Sequence, residues 1–230
     1  MKPRILQLIG NLYPGGSENQ AVQLVGLLQE TARYDVYVAT LDARGKLRDA
    51  LEKMGFGEIP VFRLTSFFDI NAIKQLYRMA HYLRERKIDI VQTHDFYTNI
   101  FGMTAAALAR VPVRIAARRE TGGWRTPRQK FIERRAYDLA HAVIANAGAV
   151  RGQLIKEGVG SEKIVTIYNG LDLERLAPRQ TGEEARALLT LPPDGDFRYV
   201  TIVANMLHSV KDHPTFLRAA KRVRQVVPKA

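Results

Sequence analysis

Short β-branched runs alternate with helical segments from residue 4 to residue 168, and this alternation constrains the fold more than any other feature of the chain. Strands that alternate with helices are joined by right-handed crossovers, which build a parallel sheet with helices on both faces. The pattern therefore predicts an α/β, Rossmann-like domain. The predicted strands are residues 4–10, 35–41, 59–64, 88–94, 113–118, 142–146 and 163–168.

Two of the intervening segments carry clear helix signals. Thr126 offers a capping hydroxyl and Pro127 stands at the first helical position, so we expect a helix to begin there. This helix is expected to bury Phe131 and Ile132. Another segment has apolar residues at intervals of three, one, three and three, which is typical of a helix with one buried face. These residues are Ile73, Leu76, Tyr77, Ala80 and Leu83.

A stretch rich in proline, glycine and charge, residues 176–197, interrupts the pattern and indicates a domain boundary. After it, residues 199–204 (YVTIVA) predict a buried strand, and Asp212 with the following His213-Pro214 predicts a helix start. The length of 230 residues exceeds one ordinary domain but is short for two. We therefore predict a Rossmann-like domain over residues 1–176, a linker over 177–197, and the first strand and helix of a second Rossmann-like domain over 198–230.

Several functional classes are excluded by what the sequence lacks. No apolar run approaches the roughly 18 residues that a membrane-spanning helix needs, and the apolar residues 5–9 are too few for a signal sequence. We therefore expect a cytoplasmic protein. The chain has no cysteine, which excludes disulfides and thiolate chemistry, and its five histidines do not show a metal-binding spacing.

The formal charge of +12 is concentrated in residues 110–135, which hold nine basic and two acidic residues. Such a stretch binds nucleic acid, anionic lipid headgroups or a phosphorylated substrate, or it forms a solvated arginine-rich face. No recognised DNA- or RNA-reading motif surrounds it. We therefore do not expect a nucleic-acid partner.

The loop after the first predicted strand contains Gly15 and Gly16 at the start of a helix. Paired glycines there let backbone amides approach an anion, and the helix dipole favours negative charge, so the loop is either a phosphate cradle or a plain tight turn. Its spacing matches neither the dinucleotide fingerprint nor the nucleoside-triphosphate loop.

His94 ends the fourth predicted strand, at the sheet edge where ligands of parallel sheets bind. A histidine there can act as a general acid or base, or can hydrogen-bond to a sugar hydroxyl or a phosphate.

Four segments are similar, in this order, to the signature of family-4 glycosyltransferases. They are residues 15–18 (GGSE), 89–94 (DIVQTH), 167–172 (IYNGLD) and 205–212 (NMLHSVKD). The resemblance implies a GT-B architecture, in which two Rossmann-like domains face each other across a cleft. It further implies transfer of a sugar from a nucleotide diphosphate to an acceptor with retention of configuration, without an essential metal or cofactor.

The resemblance also assigns residues to the donor. His94 matches the family histidine that lies beside the donor sugar, and it is the candidate catalytic residue. Gly15 and Gly16 match the loop whose amides approach the diphosphate. Lys211 matches the lysine that contacts the diphosphate, and Asn205 begins the same segment. Many members have an arginine in that segment, whereas this chain has residues 205–208 (NMLH).

The predicted acceptor side includes Glu18, Arg118, Arg119 and Glu120. Many members of the family carry a histidine after the fifth strand, whereas this chain has Arg118, Arg119 and Glu120 there. The arginines hold an acceptor phosphate and Glu120 accepts a hydroxyl proton, or these residues form a local ion pair. The acceptor is a glycan, a lipid-linked sugar or a small molecule. Basic first domains of this family often sit on anionic membranes, and residues 110–135, with their aromatic Trp124 and Phe131, suit such a surface.

The family's second acidic motif, two glutamates separated by seven residues, would lie beyond Ala230. We therefore expect this chain alone to turn over little or nothing. Two other functions remain open. One is a nucleotide-sugar epimerase with the same two-domain architecture, and the other is a module that binds a phosphorylated or anionic ligand without chemistry.

Overall fold

The computed structural model describes residues 2–67, 69–122, 125–171, 173, 177–192, 199–204, 206 and 211–227. Contacts between residues divide the chain into a first unit, Met1–Gly170, and a second unit, Leu171–Ala230. The domain and linker bounds expected from the sequence stay a prediction.

The first unit contains a six-stranded, all-parallel sheet in the order β2-β1-β3-β4-β5-β6. The predicted Rossmann-like α/β fold is thus confirmed. Its strands are β1 (Arg4–Asn11), β2 (Asp35–Asp42), β3 (Ile90–Thr93), β4 (Val113–Arg118), β5 (Ala142–Ala145) and β6 (Ile164–Thr166). Its helices are α1 (Gly16–Glu30), α2 (Leu47–Lys53), α3 (Ile70–Glu85), α4 (Phe96–Leu108), α5 (Pro127–Leu139) and α6 (Gly148–Lys156).

The strand predicted at residues 59–64 is reduced to a single bridge. Val61 pairs in parallel with Thr40 of β2, on the outer side of that strand. The ladder does not extend in one direction because Pro60 has no N–H to donate to β2. In the other direction the Thr40 hydroxyl engages both backbone groups of Asp42, accepting from its N–H at 3.2 Å and donating to its carbonyl at 2.8 Å. The bridge still occupies the position of the outermost strand in a dinucleotide-type strand order.

Two apolar clusters fill the two faces of the sheet. On one face, α1 and α2 pack residues such as Val22, Val25 and Leu51 against Ile9 and Val38 of the sheet. The other face carries α3 to α6 over the larger cluster. This division follows from right-handed crossovers, because the chain moves in one direction from β1 to β2 and in the opposite direction from β3 to β6.

The buried side of α3 is rotated from the predicted one. Leu76, Ala80 and Leu83 face the core as expected, but Ile73 and Tyr77 are 57% and 61% exposed. Met79 is fully buried in their place. Met79 lies about one helical turn from both Leu76 and Leu83, so the stripe centred on it leaves Ile73 and Tyr77 at its margin.

Helix α5 begins at the predicted site. The Thr126 hydroxyl accepts a hydrogen bond from the Gln129 amide at 3.3 Å, and the Gln129 side chain accepts from the Thr126 amide at 2.9 Å, which makes a capping box. Phe131, however, is 65% exposed, and the prediction that it is buried was wrong. The helix instead turns Glu133 and Tyr137 inward, because both belong to a buried polar network described below.

The second unit contains helices α7 (Gly182–Leu188) and α8 (His213–Val226). The predicted start of α8 is confirmed, since the Asp212 carboxylate accepts from the Thr215 amide at 3.2 Å. Residues 199–204, by contrast, form no strand, and Val203 is 93% exposed. A strand of a parallel sheet needs a neighbour for its backbone groups, and no described segment of this unit pairs with it. Helix α7 lies within the stretch predicted as linker.

No helix in the described part of the chain combines the length and the apolar character that a membrane-spanning segment requires.

Gly102 of α4 gives a direct test of this packing. A Cβ at Gly102 would lie 2.6 Å from Thr93 Cγ2 and 2.7 Å from Leu8 Cδ2, both in the packed core. We expect Gly102→Ala to lower the free energy of unfolding by about 1–3 kcal/mol, because overpacking forces these side chains off their rotamers. Urea denaturation measures the change.

The matched control is Gly152→Ala in α6, where a Cβ would meet nothing within 4 Å. That substitution is expected to raise the free energy of unfolding by about 0.5–1 kcal/mol, since alanine favours the helix over glycine. A Gly102→Ala variant as stable as Gly152→Ala would contradict the described packing of α4 on β1 and β3.

Candidate active site at the carboxyl edge of the sheet

The loops that follow β1 and β3 meet at the carboxyl edge of the sheet. These strands are neighbours, but the chain leaves β1 toward one side and β3 toward the other, which makes a topological switch point where open α/β sheets bind ligands. The loops approach closely because Gly10 has no side chain. A Cβ there would lie 2.6 Å from Asp95 Oδ2.

His94 lies at this point and is fully buried. Gln7 of β1 donates its amide N–H to the Gln92 side chain at 3.3 Å, so its own oxygen faces His94 and accepts from Nε2–H at 2.7 Å. This orientation assigns the imidazole proton to Nε2 and leaves Nδ1 as an acceptor. Nδ1 is buried and has no hydrogen-bond partner.

Burial, and secondarily the positive charge of Arg119, lower the pKa of His94 to about 3. The ring therefore stays neutral near pH 7. General acid catalysis by this residue would need an imidazolium, which burial disfavours. Hydrogen bonding by the neutral ring, with Nδ1 accepting from a ligand hydroxyl, fits the geometry.

The acid next to His94 has a structural task. Asp95 caps α4 by accepting hydrogen bonds from the amides of Tyr97 and Thr98, at 2.9 and 3.0 Å. The Thr98 hydroxyl accepts in return from the Asp95 amide at 3.0 Å. Burial raises the pKa of the Asp95 carboxyl, while these hydrogen bonds oppose the rise.

The two glycines of the predicted loop have different surroundings. Gly15 is the N-cap of α1, without a side-chain cap, and a Cβ on it would collide with the carboxylate of Glu18. Gly16 opens onto free space, since a Cβ there meets nothing within 4 Å. The loop therefore has one open side, at Gly16.

Glu18 folds back over the start of α1. Its carboxylate accepts from Asn11 Nδ2 at 3.4 Å. Burial raises the pKa of Glu18, and the negative charge of Asp95 adds to the effect. An anion at the start of α1 would meet these two carboxylates, so a phosphate can approach only from the side of Gly16.

Arg118 was a candidate acceptor ligand, and the structure gives it a structural role instead. Its side chain is 1% exposed. It donates to the carbonyls of Glu120 and Thr121 at 3.0 and 3.1 Å, and it forms a close ion pair with Glu157. With its donors engaged inside the protein, Arg118 does not present a guanidinium to a ligand.

Arg125 and Glu133 extend this buried network. Arg125 pairs with Glu133 at 3.0 Å and closely with Glu120. Glu133 also accepts from the Tyr137 hydroxyl at 2.7 Å. The network ties α5 to the loop after β4. Glu120, an acceptor-side candidate, is thus engaged through one oxygen. Its side chain is 40% exposed, but its other carboxylate oxygen is buried and makes no hydrogen bond.

Arg119 differs from both neighbouring arginines. It donates from Nη1 to Asn169 Oδ1 at 2.7 Å, and its Nε is buried without a hydrogen-bond partner. Among the described residues no carboxylate forms an ion pair with it. Burial lowers the pKa of Arg119. Of the predicted acceptor residues, Arg119 thus retains an unneutralised charge at the sheet edge.

A second polar contact shapes this edge. The Gln20 side chain of α1 donates to the Gly170 carbonyl at 2.7 Å and accepts from the Gly170 amide at 3.0 Å. It therefore holds the loop after β6 beside α1. Sequence reasoning missed Gln20, and it also missed Gln7 and Gln92. The signal for the last two was a glutamine inside each of two otherwise apolar strands.

The remaining predicted site residues do not belong to the described part of the first unit. Lys211 is exposed and precedes α8 in the second unit. Asn205 lies outside the described residues, as do His208 and Trp124. Within the described ranges, no three acidic or imidazole groups converge as metal ligands. The absence of a required metal or cofactor stays a prediction.

Solved structures of other proteins share the fold of this chain. The structure is similar to HepE (Alr3699) of Anabaena in complex with UDP and glucose, with a TM-score of 0.68, 20% identity, and coverage of 82% of this chain and 50% of that one. It is also similar to a glycosyltransferase from Rickettsia africae, with a TM-score of 0.68, 15% identity, and coverage of 99% and 66%.

A third similar structure is a UDP-N-acetylglucosamine 2-epimerase, with a TM-score of 0.57, 17% identity, and coverage of 74% of this chain and 49% of that one. These likenesses show the fold, which is that of the GT-B proteins. The chain spans about half the length of HepE. No curated protein sequence matches the chain.

The sequence model of Glycosyltransferase Family 4 matches residues 14–175, which include the Gly15-Gly16 loop, His94 and the loop after β6. The chain belongs to this family, as its resemblance predicted.

The buried, neutral state of His94 predicts a pH dependence of stability. The unfolded imidazole binds a proton below about pH 6.5, whereas the folded one does so only below about pH 3. As the pH falls from 7 to 5, the unfolded state gains a proton that the folded state does not, so the free energy of unfolding falls by about 2 kcal/mol. His94→Gln should remove this contribution.

The measurement is urea denaturation of the wild type and His94→Gln between pH 7 and pH 5. His81→Gln, at an exposed site on α3, is the control and should follow the wild type. Parallel pH profiles for the wild type and His94→Gln would show that His94 is not held neutral by burial.

Proposed function

We propose that this chain is the acceptor-side part of a retaining, hexosyltransferase-like glycosyltransferase that moves a sugar from a nucleotide diphosphate to an acceptor hydroxyl. The observation that carries the proposal is His94, a buried neutral imidazole whose free Nδ1 lies at the switch point between β1 and β3. Membership of Glycosyltransferase Family 4 supports the same reaction class.

The reaction must stabilise a leaving diphosphate and an oxocarbenium-like sugar as the glycosidic bond breaks. In our proposal, the backbone amide at Gly16 and the ammonium of Lys211 donate hydrogen bonds to the diphosphate. Gly16 has the open space that this needs. Gly15 shapes the same turn, and Asn205 belongs to the donor-binding segment.

His94 orients the donor sugar rather than exchanging a proton. Its Nδ1 accepts a hydrogen bond from a sugar hydroxyl, and the chain from Gln92 through Gln7 to Nε2 holds the ring in place. A group fixed in this way lowers the entropy that the substrate loses on reaching the reactive geometry. A neutral ring also adds no charge next to the developing sugar cation.

The acceptor side consists of Arg119, Glu120 and Glu18 in our proposal. Glu120 has a buried carboxylate oxygen that lies outside its ion pair with Arg125, and in our proposal this oxygen accepts a hydrogen bond from an acceptor hydroxyl. The acceptor is a glycan, a lipid-linked sugar or a small molecule, and the protein works in the cytoplasm. The 230-residue chain alone is expected to turn over little.

The test is titration of the full-length gene product with uridine and guanosine diphosphate sugars, following nucleoside diphosphate release and protection against thermal unfolding. Lys211→Ala should lower kcat/KM by about 10²–10³-fold, because one well-placed donor contributes about 2.7–4 kcal/mol to such a transition state. Lys221→Ala, on the exposed surface of α8, is the control and should leave kcat/KM unchanged.

Product NMR decides the stereochemistry and the competing functions. Retention requires the donor's anomeric configuration in the product, and an inverted product would contradict the proposal. Conversion of the nucleotide sugar into its epimer without an acceptor would favour the epimerase, whose fold the chain shares. Binding without turnover in the full-length protein would favour the ligand-binding module.

We also propose contact with an anionic membrane surface through the outer side of α5. Residues 110–135 do not form one surface, because Arg118 and Arg125 are buried in ion pairs. The outer side of α5 does combine exposed Arg128, Arg134 and Arg135 with the 65% exposed Phe131. An aromatic ring among arginines suits the headgroup region.

Vesicle sedimentation tests this contact. Binding to vesicles with phosphatidylglycerol should fall steeply as salt rises from 50 to 300 mM, and Arg135→Gln should weaken it about fivefold, since one cation near such a surface contributes about 1 kcal/mol. The control is Lys53→Gln at the exposed end of α2. Equal binding to neutral vesicles, or none to either kind, would rule the contact out.

A further inference from the structure

The Arg119 side chain lies across the carboxyl edge of the sheet. It starts directly after β4, and its Nη1 reaches Asn169 in the loop after β6. Strand β5 lies between β4 and β6. The guanidinium therefore extends over the end of β5, where α6 begins.

The neighbouring arginines show what Arg119 lacks. Arg118 is paired with Glu157, and Arg125 is paired with Glu120 and Glu133. In the described part of the chain, no carboxylate comes within ion-pair distance of Arg119, although its Nε is buried and makes no hydrogen bond. A half-buried cation without a counter-charge is costly, and an anion bound from solution would offset that cost.

The start of α6 contributes a second feature. Its N-cap is Ala147, which has no side-chain acceptor for the first-turn amides, whereas α4 and α5 are capped by Asp95 and Thr126. A Cβ on Gly148 would meet nothing within 4 Å, so the space before these amides is open. The dipole of a nine-residue helix favours negative charge at this end.

Asn146 links the two features. Its Nδ2 donates to the Arg119 carbonyl at 3.3 Å, which fixes the chain before α6 to the loop after β4. Its Oδ1 is buried without a hydrogen-bond partner and can accept from a protonated phosphate or a hydroxyl. The proximity of Arg119 to His94 places this cluster beside the proposed donor sugar.

We propose that Arg119 and the first-turn amides of α6 bind an anionic group, a phosphate or a carboxylate, that belongs to the acceptor. This inference rests on the proposed glycosyltransferase function for the identity of the ligand as acceptor, but the anion site itself stands on the geometry. The guanidinium supplies charge and the Nη N–H donors that Asn169 does not use, and the helix start supplies backbone amides. The substrate class is thus a hydroxyl compound with a phosphate or carboxylate near the reacting oxygen.

Isothermal titration of the 230-residue chain measures the site directly. The probes are inorganic phosphate, glycerol 3-phosphate, gluconate, and a short-chain phosphatidic acid below its micellar concentration. Saturable binding of at least one probe is expected, and Arg119→Gln should weaken it about tenfold or more, because charge-assisted hydrogen bonds are lost. Arg119→Lys should recover part of the affinity, since it keeps the charge but not the planar fork.

Arg110→Gln is the matched control, an exposed arginine before the opposite end of β4, and it should bind like the wild type. Circular dichroism verifies that each variant is folded. Binding of phosphate and glycerol 3-phosphate indicates a soluble phosphate ester, binding of the lipid alone indicates a lipid headgroup, and binding of gluconate alone indicates a carboxylate. Failure of every probe to bind up to 10 mM, or equal binding by wild type and Arg119→Gln, would overturn the inference.

A parallel titration with the nucleotide sugar separates this inference from the proposed function. The full-length Arg119→Gln variant should bind the nucleotide sugar with the affinity of the wild type, whereas its affinity for the anionic probe should fall. If anion binding depends on Arg119 but the full-length protein binds no donor, the anion site is supported and the proposed transferase function is contradicted. If Arg119→Gln instead loses donor binding but binds the anion like the wild type, Arg119 belongs to the donor site and the inference is wrong.

Discussion

The close approach of Gly10 to Asp95 is the constraint on which the rest of the candidate site depends. Only a residue without a side chain permits this contact, since a Cβ would lie 2.6 Å from the carboxylate. Asp95 can then cap α4 while it lies against the end of β1. As a consequence, the end of β1 lies against the segment that contains His94, at the switch point of the sheet.

Buried polar groups on this side of the sheet are arranged to satisfy one another, with a few exceptions. Gln7 and Gln92 stand opposite each other in the register of β1 and β3, and together they hold His94. The network of Arg118, Arg125 and their carboxylates does the same for the loop after β4. Among the exceptions, Nδ1 of His94, Nε of Arg119 and Oδ1 of Asn146 lie at the edge where ligands bind in this fold.

Much of the fold was predictable because its signals are local. Six of the eight predicted strands form at or near their expected positions, and the starts of α5 and α8 follow from their caps. The run at residues 59–64 shares the composition of a strand but contains Pro60, and the run at residues 199–204 has no pairing partner in the described second unit. Pairing, which composition does not encode, decides whether such runs become strands.

The sequence by itself determined the kinds and order of the elements, because periodicity, caps and turns act over a few residues. It also placed Gly15 and Gly16 after the first predicted strand and His94 at the end of the fourth. Only the tertiary structure decided which polar groups remain available. Arg118 and Arg119 are adjacent in sequence, yet Arg118 is engaged by Glu157, 39 positions away, and Arg119 is not. Likewise His94 is held by Gln7, 87 positions away. Burial and ion pairing depend on residues that folding brings together, so the difference between a neutralised arginine and one without a counter-charge appears only in the folded chain.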